Sequence, residues 1–166
     1  MNDTIPAITL HQPWASLIAC GAKTFETRSW KTPHRGQIAI HAAKSIPDYG
    51  QELIEELVDA EKTPDGWAYS DFMTATALAK IGIHRPDQFP LGAIVCLADL
   101  TDCIPTQQAP HEMRRFGDFT PGRWAWRLES IHVMDPPFPC RGYQGVWRWD
   151  PVTKQSIAPD FTRRAA

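Results

Sequence analysis

Residues Gln12–Lys44 read QPWASLIACGAKTFETRSWKTPHRGQIAIHAAK, and the reading of this stretch decides the fold. Trp14, Leu17, Ile18 and Gly21 recur at the i, i+3, i+4, i+7 spacing of one helix face, which predicts a short helix over Gln12–Cys20. Pro13 suits its first turn and Gly21 its end. The period then drops to two. A strand over Thr24–Trp30 turns Thr24, Glu26, Arg28 and Trp30 to one face and Phe25, Thr27 and Ser29 to the other. KTPHRG (Lys31–Gly36) is marked as a turn by its proline and glycine, and Gln37–Ala43 follows as a strand with Ala39 and His41 on one face.

Working outward, Ile5–Leu10 reads as a first strand, and Ile46–Glu61 as an amphipathic helix started by Pro47 and Asp48. Thr63–Gly66 breaks it, and Asp71–Lys80 reads as a second helix. Leu91–Cys103 reads as an apolar strand, either buried on both faces or lining a barrel interior. Pro105–Phe119 is irregular, with a short helix at His111–Phe116. Arg123–Met134 is a long strand, Pro136, Pro137 and Pro139 force an extended connector, and Tyr143–Trp149 closes the fold. Residues 1–150 then make one domain, and 151–166, poor in apolar residues, read as a flexible tail.

The whole chain of 166 residues carries a net charge of −2, which excludes a global basic field. The charge is uneven, however. It is +4 from Lys23 to Lys44 and −5 from Glu52 to Asp65, the latter a solvated helix face. Seven tryptophans exceed what a core of this size needs, which suggests stacking on a ligand or an interface with a protein partner. The N-terminal sequence lacks a basic and apolar leader, and no apolar run reaches a membrane span. The chain therefore reads as cytoplasmic, with Cys20, Cys96, Cys103 and Cys140 reduced. No CxxC or paired histidine spacing calls for a metal, and no GxSxG, Walker or GxGxxG motif calls for their chemistry or for a cofactor.

Chemistry concentrates in the opening stretch. Glu26 and Arg28, two apart on a strand, read either as a surface ion pair or as an acceptor set beside a fork of donors for a ligand. Lys23 follows the glycine turn, where it is either solvated or aimed into a cleft. Trp30 with Lys31, His34 and Arg35 is either a turn with a half-buried tryptophan or an aromatic plate among cations, the composition of a site for single strands or flipped bases. His41 lies mid-strand near Lys44, where a histidine serves either as a core hydrogen-bonding group or as a site residue. Arg141–Trp147 is punctuated by Gly142 and Gly145, which permits either a close backbone approach or a tight bend.

Taken together, Gln12-Pro13-Trp14-Ala15, Gly21-x-Lys23-x-x-Glu26-x-Arg28, Ile40-His41-Ala42-Ala43-Lys44 and the late Gly142-x-x-Gly145-x-Trp147 resemble the ASCH domain of the PUA-like superfamily. Arg28-Ser29-Trp30-x-Thr32-Pro33-His34-Arg35-Gly36 resembles in particular the ASCH domain of the eukaryotic activating signal cointegrator, and the closing run that of bacterial and phage members. The resemblance spans residues 7 to 150. It implies an α+β fold: a small mixed β-barrel of five to six strands, two to three peripheral helices, and a cleft beside the helix near Pro13. It further implies a nucleic-acid-binding module whose GxKxxExR segment lines that cleft. On that reading Gln12, Trp14, Lys23, Glu26, Arg28, Trp30 and His41 face a base of single-stranded RNA or DNA. Lys31, Arg35 and Lys44 meet its phosphates.

The alternative is an enzyme. Some small members are amidohydrolases that deacetylate N4-acetylcytidine with a lysine, a threonine and a distant glutamate, and others are described as ribonucleases. Lys23 matches the lysine, so Lys23 and Glu26 would be the catalytic pair acting on a modified nucleoside. Glu26 stands at the threonine's position, however, and neither the distant glutamate nor the ribonuclease set has a match. The sequence therefore favours binding.

Overall fold

The computed structural model describes residues 4–59 and 69–159. Ten regular elements follow in order: β1 (Ile5–Leu10), α1 (Trp14–Ala19), β2 (Phe25–Arg28), β3 (Gly36–Ala42), α2 (Asp48–Asp59), α3 (Tyr69–Lys80), β4 (Ala93–Pro105), β5 (Trp124–Pro139), β6 (Val146–Asp150) and β7 (Gln155–Ile157). The break expected at Thr63–Gly66 lies outside the described residues.

The strands form one mixed sheet in the order β2-β5-β4-β3-β1-β6-β7. Only β1 and β3 pair in parallel, because α1 and β2 carry the chain back between them. The two long strands β4 and β5 pair antiparallel, and their register shifts at Ile94/Cys96, Leu97/Asp99 and Leu100/Asp102. Such bulges bend a sheet and increase its twist. The bending does not close the ladder: β2 and β7 are its two edges. The barrel of five to six strands expected from the resemblance is thus corrected to an open sheet of seven.

Two further departures concern proline and the C-terminal stretch. The prolines after Met134 do not end β5, which runs on with Phe138 opposite Ile94 and Pro139 opposite Ala93. β2 pairs only with residues 124–127, so β4 alone flanks this end of β5, and on the open side a missing proline N–H leaves no acceptor unpaired. Part of the segment read as a tail is also ordered. Gln155–Ile157 adds a strand to β6, although the tail's last residues, 160–166, lie outside the description.

The main core lies between α1 and the sheet, where Ala15, Ile18, Ile38, Ile40, Leu100, Trp126 and Leu128 are buried. Leu17, on the other side of α1, packs with Ile54 and Leu57 of α2 and Leu78 of α3. α1 is therefore covered on both flanks, which offsets its length of six residues. Gly21 follows it at φ 80°, the left-handed conformation that ends a helix cheaply with glycine. On the opposite face of the sheet the small Ala7 and Ala39 leave room for Trp147 and Trp149.

The tryptophans are mainly structural. Trp126, Trp147 and Trp149 are fully buried, and Trp14, Trp30 and Trp124 half-buried. Each large apolar side chain buried in this way contributes about 1.5–3 kcal/mol. None of the six described tryptophans is exposed, so they form no outward aromatic patch. No described helix is long and apolar enough to cross a membrane.

Candidate functional site

The turn after α1 and the start of β2 bring Lys23 under the segment that follows the 3-10 turn His111–Phe116. Lys23 is 1% exposed. Its Nζ donates to the carbonyls of Phe25 and Phe116, each at 2.7 Å, and lies 3.3 Å from Glu26 Oε2. Three acceptors thus meet the three N–H bonds of the ammonium, as a buried charge requires. Burial pulls the Lys23 pKa down from its ordinary 10.5, and the Glu26 carboxylate opposes that shift.

Glu26 is itself mostly buried. Its second oxygen, Oε1, lies 3.3 Å from Arg28 Nε, but off the direction of a hydrogen bond, so the buried Nε has no hydrogen-bond partner. Arg28 Nη2 donates to Thr9 O at 3.3 Å, and the guanidinium stands 5.6 Å from the Trp30 ring. Charge, position and an unpartnered donor are therefore fixed together.

Lys23, Glu26 and Arg28 converge on one hollow of about 550 Å³. Thr9, Leu10, His11, Trp14, Thr27, Tyr49 and residues 115–118 complete its lining. Trp14 and Tyr49 lie 5.4 Å apart as tilted rings at one wall. This is a size at which small organic ligands are enclosed, with a few polar groups among apolar ones.

A second hollow, of about 670 Å³, opens on the other side of Arg28. Thr9, Leu10, His11 and Arg28 line both. Trp30, His41, Lys44 and the loop 141–145 line the second alone. His41 is 1% exposed. Its Nε2 donates to Cys140 O at 3.0 Å, which leaves the buried Nδ1 without a partner. Burial lowers its pKa below the ordinary 6.5. The Gly142 backbone covers the ring: a Cβ at that position would come within 2.4 Å of His41 Nδ1 and 2.6 Å of Thr9 Oγ1. The glycine serves close approach to the protein's own side chains.

The predicted residues therefore divide. Trp14, Lys23, Glu26 and Arg28 meet in the first hollow, and Arg28, Trp30, His41 and Lys44 in the second. Three lie in neither. Gln12 is fully buried and braces α1: its amide donates to Ser16 Oγ and Pro90 O, both at 2.8 Å, and its Oε1 accepts from Ser16 N. Lys31 packs 5.1 Å over the Trp124 ring, and Arg35 pairs with Asp102 at 3.4 Å.

Sequence reasoning missed Tyr49 and residues 115–118, which arrive from segments with no motif of their own. It also missed Arg141, although the glycine-punctuated run beside it was a signal. Among the described residues no group of three histidine, cysteine, aspartate or glutamate side chains is placed to hold a metal.

The chain is similar to known proteins along most of its length. Activating signal cointegrator 1 of Mus musculus and of Homo sapiens are each 28% identical over 143 residues, which is 86% of this chain and 22% of theirs. The chain thus spans about a fifth of the length of these curated relatives. A crystal structure of a ZmASCH point mutant from Zymomonas mobilis superposes with a TM-score of 0.43 at 14% identity, over 81% of this chain and 74% of that one. Residues 8–136 match the family model of the ASCH domain, and the chain belongs to that family.

Proposed function

We propose that the chain is a nucleic-acid-binding module that takes a base of single-stranded RNA or DNA into the first hollow. The observation that carries this reading is the convergence of Glu26 and Arg28 with Trp14 and Tyr49 in one space of about 550 Å³. The carboxylate accepts from an exocyclic amino group, and the guanidinium donates to a neighbouring ring acceptor. Cytosine and adenine both offer such an edge. The rings of Trp14 and Tyr49 supply an apolar wall for the base's face. Lys23 acts here as a positioning residue: with its three donors engaged inward, it holds Glu26 and the Phe116 backbone in place.

The test is binding of a randomised single-stranded RNA decamer, followed by fluorescence anisotropy. Glu26→Gln keeps the size and removes the charge and one acceptor. It should weaken binding by roughly 1–3 kcal/mol, the worth of a good polar contact to a base. An unchanged affinity would falsify the base-reading role. A DNA decamer of the same length separates RNA from DNA.

One observation favours a second reading, an amidohydrolase acting on an N4-acylated cytidine. A lysine with a lowered pKa stands 3.3 Å from a carboxylate, and Thr27 lines the same hollow. To attack an acyl carbon, Lys23 would have to pass a proton to Glu26 and break its hydrogen bonds to two backbone carbonyls to aim the freed lone pair at the substrate. Its present hydrogen bonds oppose that, so binding is the better-supported function. Incubation with N4-acetylcytidine and other acylated nucleosides tests it: cytidine release that disappears in Lys23→Ala, with the fold shown intact by circular dichroism, supports the enzyme, and no turnover on any of them removes it.

A further inference from the structure

We propose that the second hollow seats the phosphodiester backbone of the strand whose base enters the first, so that the ligand is a stretch of nucleic acid and not a free nucleoside. The proposal rests on the base-binding reading above and extends it to a site of its own. Four observations carry it. The two hollows share the wall of Thr9, Leu10, His11 and Arg28, so a ligand in one continues directly into the other. No aspartate or glutamate lines the second hollow, whereas Glu26 and Asp118 line the first.

The cations of the second hollow are also available. Lys44 and Arg141 are exposed, and neither has an ion pair to a described carboxylate. Both are nevertheless held. The Lys44 stem lies against Gly92, and the Arg141 guanidinium stacks 5.1 Å from the Tyr143 ring. Beneath them the frame is rigid, since Ala43 N bonds Leu10 O, Gly92 N bonds Ala43 O and Cys140 N bonds Gly92 O.

Cations without carboxylate neighbours attract an anion at little cost in desolvation, and an arginine fork suits phosphate oxygens. The space, about 670 Å³, far exceeds one phosphate, and Arg28, Lys44 and Arg141 all line it. That room and that charge fit a run of linked phosphates. Lys31 and Arg35, the other cations expected at phosphates, line neither hollow, and Arg35 pairs with Asp102. The phosphate role therefore passes to Lys44 and Arg141.

The experiment measures affinity for a randomised single-stranded RNA decamer, and its DNA counterpart, across a salt series. It compares the unaltered chain, the double variant Lys44→Ala/Arg141→Ala, and Glu26→Gln. On single strands each phosphate contact adds about 0.7 to the steepness of log affinity against log salt, so losing two should flatten the slope by about 1.4. The double variant should also bind roughly tenfold more weakly at low salt, equally for all sequences. Glu26→Gln should weaken binding with the slope unchanged.

A double variant that keeps the original slope overturns the phosphate site, even where Glu26→Gln weakens binding and the base reading stands. A flattened slope with no effect of Glu26→Gln keeps the phosphate site and removes the base reading. The four nucleoside monophosphates, titrated singly, complete the set: if any binds as tightly as the decamer, the strand proposal is overturned in favour of a free nucleotide. If neither decamer binds the unaltered chain, both readings fall.

Discussion

The two hollows share a wall and differ in almost everything else. On one side of Arg28 the polar groups are buried and committed to each other: Lys23 to two carbonyls and Glu26, Glu26 to Lys23 and Arg28. On the other side Lys44 and Arg141 stand exposed, with only apolar or aromatic support. A buried network of this kind is costly to assemble but holds its shape, and one donor in it, Arg28 Nε, is left without a hydrogen-bond partner. Exposed cations discriminate little between bases, but they give affinity that salt can screen. On the functions proposed above, the contrast assigns the identity and the charge of a ligand to two adjoining hollows, with Arg28 lining both.

Four substitutions sharpen or break this contrast. Lys23→Met should have the largest effect, because it leaves two buried carbonyls unpaired and Glu26 with one cation fewer. Loss of a buried partner of this kind costs about 3–5 kcal/mol, to be read from urea denaturation. Unchanged stability would mean that the first hollow is not held by its network. Gly142→Ala should come next, at about 1–3 kcal/mol, since its Cβ would sit 2.4 Å from His41 and either the loop or the ring must move. The shifts should appear in the NMR signals of His41 and Tyr143 and spare those of Lys23 and Glu26; a change at Lys23 would show that the hollows are mechanically one.

Tyr49→Ala should alter stability by less than about 0.5 kcal/mol, because the side chain is 59% exposed. It should still weaken binding of the RNA decamer by about 1 kcal/mol through lost stacking. Equal binding would remove that wall from the site. The smallest effect concerns pH. Burial holds the His41 pKa below 6.5, so as pH falls below 6.5 the unfolded chain takes up a proton that the folded chain refuses. Stability should therefore decline through that window and level off below the folded pKa. His41→Gln, which can still donate to Cys140 O, should show a shallower decline; an identical acid limb would assign the titration to another group.

Periodicity carried far in this chain. The i, i+3, i+4 pattern placed α1, the change to period two placed β2 and β3, and GxKxxExR marked three side chains that share one hollow. These succeed because local spacing dictates which side chains face the same way. Pro136, Pro137 and Pro139 misled because proline forbids a central strand but not one with a free flank, and flanks are settled by the order of strands. Gln12 misled because its motif position is compatible with a ligand contact and with a brace; only the nearness of Ser16 and Pro90 decides between them.

By itself, the sequence determined that this is an α+β chain of the ASCH domain family, with a net charge of +4 gathered at Lys23–Lys44. Short-range patterning and motif order are properties of the chain, and they survive without coordinates. Only the tertiary structure decided that the sheet stays open, that Lys23 is spent inward on carbonyls from positions 25 and 116, and that Lys44 meets Arg141 across nearly a hundred residues. The reason is physical: bulges, strand order and burial arise from contacts between distant segments, and no window of local sequence contains both partners.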